Sequence, residues 1–164
     1  MTTRHFNVLF LCTGNSARSI MAEALMNWRG RPNFAAFSAG SHPSGVVRPE
    51  ALRQIASAGL PTENLRSKSW EEFARIDAPH LDFVFTVCDN AANEVCPIWP
   101  GQPLTAHWGI PDPVLLPEST PESDRAFSQA FRTLERRISL FLFLPLASLD
   151  SMAIKKEIDN IGKQ

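Results

Sequence analysis

The 164-residue sequence predicts a doubly wound α/β domain built on a four-stranded parallel sheet. Two observations carry that expectation. The first apolar run, Val8 to Leu11, lacks the alternation of a half-exposed strand, as strands covered on both faces do. Strand-type and helix-type segments then alternate along the chain, the pattern of parallel α/β folds.

Ile20, Ala24, Leu25 and Trp28 recur at three- and four-residue steps, an amphipathic helix ended near Gly30 and Pro32. Phe34 to Ser38 forms the second strand, stopped by Gly40. Pro49 opens a helix through Ala51, Leu52, Ile55 and Ala58, closed by Gly59. Ser69 is placed to cap a short helix over Trp70 to Ile76, with Glu72 at the capping-box position. Phe83 to Val87 gives a third strand ending at Cys88, and Leu104 to His107 a short fourth. Pro121 starts a long helix through Phe127, Ala130, Phe131, Leu134 and Ile138. The expected organisation is a single domain over 1–164, with a core at about 6–143 and a charged helical tail at 146–164. Phe141 to Leu144 fits the inner face of the closing helix. The tail either covers that surface or mediates self-association.

Sixteen basic and seventeen acidic residues leave a formal charge of −1, so nucleic acid and acidic membranes have no broad electrostatic handle. Residues 1–5 lack the apolar core of a signal peptide, and no apolar run is long enough to span a membrane. A cytoplasmic location is expected, where three cysteines, at 12, 88 and 96, argue for thiol chemistry rather than structural disulfides. The four histidines, at 5, 42, 80 and 107, show no zinc spacing with them, and no metal is required.

Chemistry concentrates in Cys12-Thr13-Gly14-Asn15-Ser16-Ala17-Arg18-Ser19, between the first strand and the first helix. Unpaired amides at the helix start, with Gly14 allowing a tight path, form an anion-binding nest from Thr13, Gly14, Asn15, Ser16 and Ala17. Arg18 adds a bidentate fork for a tetrahedral oxyanion. Those positive surroundings are expected to hold Cys12 as a thiolate, to which Ser19 donates, while Asn15 braces the loop. In an α/β sheet ligands bind beyond the carboxyl ends of the strands, which puts Cys12 and Cys88 on one rim. A strand-end cysteine taken singly is more often inert packing; the strand, Cys-x5-Arg-Ser, glycine and helix together point to a functional loop.

Val8 to Ser19 with Met21-Ala22-Glu23-Ala24 resembles the low-molecular-weight protein tyrosine phosphatase superfamily, most nearly its arsenate reductase branch. The resemblance continues through Phe37 to Gly40, Val87 to Ala92, Cys96-Pro97 and His107 to Pro113, and implies that family's flavodoxin-like layering. It implies Asp112, in Asp112-Pro113, as general acid. A phosphatase needs only Cys12, Arg18 and Asp112, whereas a reductase needs further thiols. The resemblance implies a relay in which Cys12 attacks arsenate and Cys88 releases arsenite by forming a disulfide with Cys12. Cys96 then moves that disulfide to Cys88–Cys96. Phosphate or sulfate would mimic the substrate. The electron donor is external, either thioredoxin or glutaredoxin with glutathione; seven residues separate Cys88 from Cys96, one more than in the thioredoxin-coupled members.

Asn15, Glu23 and Ser38 match positions that hold a potassium ion in some reductases; Glu23 has the alternative of a solvated helix carboxylate. The sequence contains no tyrosine, and Val114 follows Pro113 where the tyrosine phosphatases carry an aromatic wall. That favours a bare inorganic oxyanion. His107 and Trp108 are expected to pack and position, and Trp99 to anchor the cysteine loop by burial. The competing readings are a phosphatase hydrolysing phosphomonoesters and a non-catalytic oxyanion-binding regulator.

Overall fold

The computed structural model describes residues 5–88, 99, 101–115 and 120–164. Four strands form one parallel sheet: β1 (Phe6–Cys12), β2 (Phe34–Gly40), β3 (Phe83–Thr86) and β4 (Leu104–His107), in the order β2-β1-β3-β4. β1 is central, pairing with β2 from Phe6↔Phe34 to Cys12↔Gly40 and with β3 from Val8↔Phe83 to Leu11↔Thr86. Its residues Val8 to Leu11 are fully buried, as the uninterrupted apolar run requires.

Among the described residues the α-helices are α1 (Arg18–Arg29), α2 (Pro49–Ser57), α3 (Pro121–Leu142) and α4 (Ser151–Ile161). Strand alternation sorts two cores. Val8, Phe10 and Phe85 face the α-helices, where they join Ile20, Leu25, Phe127, Leu134 and Phe141. Leu9, Leu11 and Val84 face the other way onto Phe73, Leu81 and Trp99. Among the described residues that second face is covered by loops and one 3-10 turn, not by an α-helix. In the larger core the Trp108 ring stacks on Phe85 at 3.9 Å between centroids, and Phe141 meets Phe83 edge-on at 4.9 Å.

Two local expectations change. The helix foreseen over Trp70 to Ile76 is a 3-10 turn limited to Trp70–Phe73, and Ile76 is fully exposed. Ser69 does cap it, accepting from the Glu71 amide at 3.2 Å. Glu72 completes no capping box, because Arg66 clamps both its oxygens at 3.0 and 2.7 Å, a stronger charge-assisted pairing. At the other end Phe141 is buried but Phe143 is 86% exposed: α3 stops at Leu142, and the chain turns the second phenylalanine outward.

The tail helix docks on the sheet edge. Ile158 and Ile161 are buried, the Trp108 indole N–H donates to the Ile158 carbonyl at 2.9 Å, and a Cβ at Gly162 would collide with the His107 carbonyl oxygen. α4 thus covers β4 and Trp108, directly before the segment leading to Asp112.

Candidate active site

The parallel ladder continues past the strand ends and brings distant segments to one rim. The Val87 amide donates to the Leu11 carbonyl at 2.8 Å, Trp108 to Thr86 at 2.7 Å, and Ile110 to Val87 at 3.1 Å. Cys12, Cys88 and Ile110 to Asp112 therefore converge beyond the carboxyl edge of the sheet.

The loop after Cys12 is anchored from outside through its carbonyls. Thr13 O accepts from the His42 amide at 2.9 Å, Gly14 O from Ser44 at 3.0 Å, and Ser16 O from Arg48 at 2.8 Å. In a trans peptide the carbonyl and the next N–H point oppositely, so outward carbonyls aim amides into the cradle. The Gly14 amide pulls the Cys12 thiol pKa downward. Asn15 is fully buried in the left-handed region, at φ 45°, a conformation asparagine tolerates. Its side chain braces both sides: Oδ1 accepts from the Lys68 amide and Nδ2 donates to Ser19 Oγ, each at 2.8 Å. Ser19 keeps its own hydroxyl proton for donation.

Gly40, the last residue of β2, lies beneath the loop. A Cβ there would collide with the Thr13 carbonyl oxygen and stand 2.9 Å from that of Cys12. Gly40→Ala is accordingly expected to displace the loop and weaken phosphate binding about tenfold or more, about 1.4 kcal/mol. Calorimetric titration checks this, with far-UV circular dichroism unchanged.

Both described thiols are buried, Cys12 at 5% exposure and Cys88 at 3%. Cys88 Sγ accepts from the Thr13 amide at 3.3 Å and lies 3.6 Å from Thr13 Oγ1. Cys12 hydrogen-bonds to the same sulfur, and this bond, followed by burial, pushes its thiol well above the usual range; Arg18 and the Gly14 amide pull down less strongly. Both upward influences oppose the standing thiolate expected at Cys12. Arg18 is also directed elsewhere: Nη1 donates to the Ile110 carbonyl at 2.7 Å and Nη2 lies 3.5 Å from Asp112 Oδ1.

Asp112 is about one-third exposed, and its Oδ1 accepts from the Val114 amide at 2.9 Å. The approach to it is held by two guanidiniums. Arg137 Nη1 donates to the Trp108 and Gly109 carbonyls at 2.8 and 3.1 Å, and Arg18 takes the next carbonyl, Ile110. Sequence reasoning missed Arg137. Its signal is periodicity: position 137 falls on the same buried stripe as Leu134, Ile138 and Phe141, where an arginine must find internal acceptors.

Trp99 is buried with its ring edge-on to Trp70 at 6.2 Å, Trp108 is core, and the His107 ring meets Thr86 Oγ1 at 2.8 Å. Cys96 lies outside the described residues. Among those described, no cluster of histidine, cysteine and acidic side chains could hold a metal ion. Asn15, Glu23 and Ser38 do all meet Lys68, another residue that sequence reasoning missed: Glu23 and Ser38 flank its ammonium, while Asn15 accepts from its backbone amide. Ser38 Oγ donates to Glu23 Oε1 at 2.6 Å, and Lys68 Nζ stands 3.5 Å from that oxygen. Nothing in the local pattern marks Lys68, which reaches the site from an irregular segment. Among the described residues no helix is long and apolar enough to cross a membrane.

A cysteine and an arginine with five residues between them, on an amide cradle at the tip of a central parallel strand, define a protein that handles tetrahedral oxyanions through a thiol. The chain belongs to the low molecular weight phosphotyrosine protein phosphatase family, which it matches over residues 7–158. Within that family its relatives include arsenate reductases. That of Bacillus licheniformis is 35% identical over 126 residues, covering 76% of this chain and 86% of the relative. That of Shouchella clausii is 31% identical over 135 residues, covering 82% and 93%. The thioredoxin-dependent arsenate reductase of Corynebacterium glutamicum superposes with a TM-score of 0.57 at 26% identity, over 85% of this chain and 65% of that one.

Proposed function

We propose that this protein reduces arsenate to arsenite through a thiol relay begun by Cys12. The observation that carries the reading is the second buried thiol, Cys88, which lies beside Cys12 and accepts from the Thr13 amide of the oxyanion cradle at 3.3 Å. Phosphoester hydrolysis has no use for it. Reduction of arsenic by two electrons needs two sulfurs that can join, and the arsenate reductases of Shouchella clausii and Bacillus licheniformis match 82% and 76% of this chain.

Arsenate sits on the amides of Thr13 to Ala17 with Arg18 turned onto its oxygens. The Cys12 sulfur bonds to arsenic as one arsenic–oxygen bond breaks. Asp112 protonates the departing oxygen, and the thiol proton of Cys12 restores the balance, so water leaves without net proton uptake. This gives the raised Cys12 pKa a use, because the proton is retained until the oxyanion arrives. Ser19, braced by Asn15, donates to the developing thiolate.

Cys88 then attacks the Cys12 sulfur. The sulfur–sulfur bond forms, the sulfur–arsenic bond breaks, and its electron pair leaves with arsenic as arsenite. Cys96 carries the disulfide onward to Cys88–Cys96. A thioredoxin-type donor, rather than glutaredoxin with glutathione, is favoured by the thioredoxin dependence of the Corynebacterium glutamicum relative. A donor pool of that kind supports a cytoplasmic location.

The second reading is a phosphatase, favoured by the family's name and by the retention of Cys12, Arg18 and Asp112. Against it stands Val114, half-buried at the position where a phosphotyrosine slot would need an aromatic wall. A matched assay decides: purified protein with arsenate and NADPH-linked thioredoxin, with arsenate and glutathione–glutaredoxin, and with an aryl phosphate. Arsenate-dependent NADPH oxidation is expected; brisk aryl phosphate hydrolysis with no arsenate reduction would overturn it.

A further inference from the structure

The residues that match a potassium site in related enzymes do not fit one here. Asn15 Oδ1 is engaged by the Lys68 backbone amide at 2.8 Å, and Glu23 Oε1 accepts the Ser38 hydroxyl at 2.6 Å. Beside Glu23 and Ser38 lies the Lys68 ammonium, 3.5 Å from Glu23 Oε1 and 3.3 Å from Ser38 Oγ, with its shortest bond to the Arg66 carbonyl at 2.9 Å. Lys68 is only 8% exposed, a burial that lysine adopts almost only when paired. An ammonium carries the same single charge as potassium and is nearly its size, and it approaches the same carboxylate and hydroxyl oxygens.

We propose that Lys68 is a tethered cation that takes the place of a monovalent metal ion behind the oxyanion loop, making this chain's loop geometry independent of potassium. Two links connect it to the site. The Lys68 amide holds Asn15 in its left-handed conformation, and the Lys68 carbonyl accepts from the Gly40 amide at 2.9 Å, beneath Thr13. Glu23, on α1, and Ser38, on β2, are drawn together by the ammonium, so one side chain ties the strand and helix that flank the loop. Lys68 is thus a positioning residue; it does not touch the oxyanion. A covalently attached cation loses no translational freedom on binding, which is its advantage over an ion taken from solution.

The tethered cation shapes the loop whether the anion turned over is arsenate or a phosphate ester. Its test therefore uses phosphate affinity and thermal unfolding rather than turnover. In the native protein, melting temperature and phosphate Kd are expected to be the same in potassium chloride and in choline chloride of equal ionic strength. Lys68→Ser removes the ammonium and opens space beside Glu23 and Ser38. It is expected to weaken phosphate binding about tenfold, about 1.4 kcal/mol, and potassium, but not choline, should restore part of the affinity and raise the melting temperature. Lys68→Gln, closer in size, should show the loss with less rescue, because its amide fills the space. A potassium-selective rise in melting temperature of the native protein would overturn the proposal, and that measurement needs no variant to fold. Unchanged phosphate affinity in both variants would overturn it too.

Discussion

Replacing Cys88 by serine will stop thioredoxin-linked arsenate turnover by about 10³-fold or more, since it removes a covalent participant. Hydrolysis of an aryl phosphate, if the native protein has any, will survive, because that reaction uses Cys12, Arg18 and Asp112 alone. The same substitution has an opposite effect on the reactivity of Cys12. Alkylation by iodoacetamide requires the thiolate, and the Cys12 thiol is pushed upward chiefly by its hydrogen bond to Cys88. In the native protein the alkylation rate should therefore still be climbing at pH 9, the ordinary thiol value. Serine removes the largest upward influence, leaving Arg18 and the Gly14 amide to oppose burial. The alkylation profile should move to lower pH, and a move of one on the pH scale raises the rate at pH 7 about tenfold. Mass spectrometry of the Cys12 peptide separates this signal from the other thiols. Arsenate-dependent NADPH oxidation that persists in Cys88→Ser would sink the relay. An unmoved alkylation profile would show that the thiol pair does not control Cys12.

What the sequence revealed and what it hid divide along a physical line. Strand and helix periodicities are local, so β1 to β4 and the long helix were legible, with only end residues shifting. The convergence of Cys12 and Cys88 was legible as well, because topology dictates that strand ends share a rim, whereas Asp112 came only from the family resemblance. Charges satisfied across the fold were not legible. Glu72 had the spacing of a capping box, yet Arg66 claimed it; Arg18 looked available to the thiol, yet the Ile110 carbonyl and Asp112 hold it at rest. The thiolate expectation counted the loop's positive charge but not the second sulfur and the burial that push the Cys12 thiol upward. Lys68 was hidden most completely. It arrives from an irregular segment 30 residues from Ser38 and 53 from Asn15, and no pattern in the chain anticipates that meeting.

Arg18→Lys is expected to lower kcat/KM for arsenate by about 10²–10³-fold, the range for loss of a preorganised oxyanion donor. Positive charge is preserved in this variant, so the loss isolates the geometry of the fork. The guanidinium has two tasks that an ammonium cannot perform together. At rest Nη1 satisfies the buried Ile110 carbonyl at 2.7 Å while Nη2 faces Asp112 at 3.5 Å. With substrate present, the same two nitrogens must meet two oxygens of a tetrahedral anion in a common plane. Lysine offers one point of attachment on a more flexible stem, so it either leaves Ile110 without its donor or leaves the anion singly held. An orphaned buried carbonyl costs about 1–3 kcal/mol, so the melting temperature should fall alongside activity. Phosphate affinity and turnover should respond unequally. Affinity depends mainly on charge and amides, both retained, whereas turnover also needs Asp112 placed against the departing oxygen. A drop confined to KM would mean that Arg18 acts only as a charge; a kcat loss larger than the loss of phosphate affinity is the signature of the fork ordering the acid.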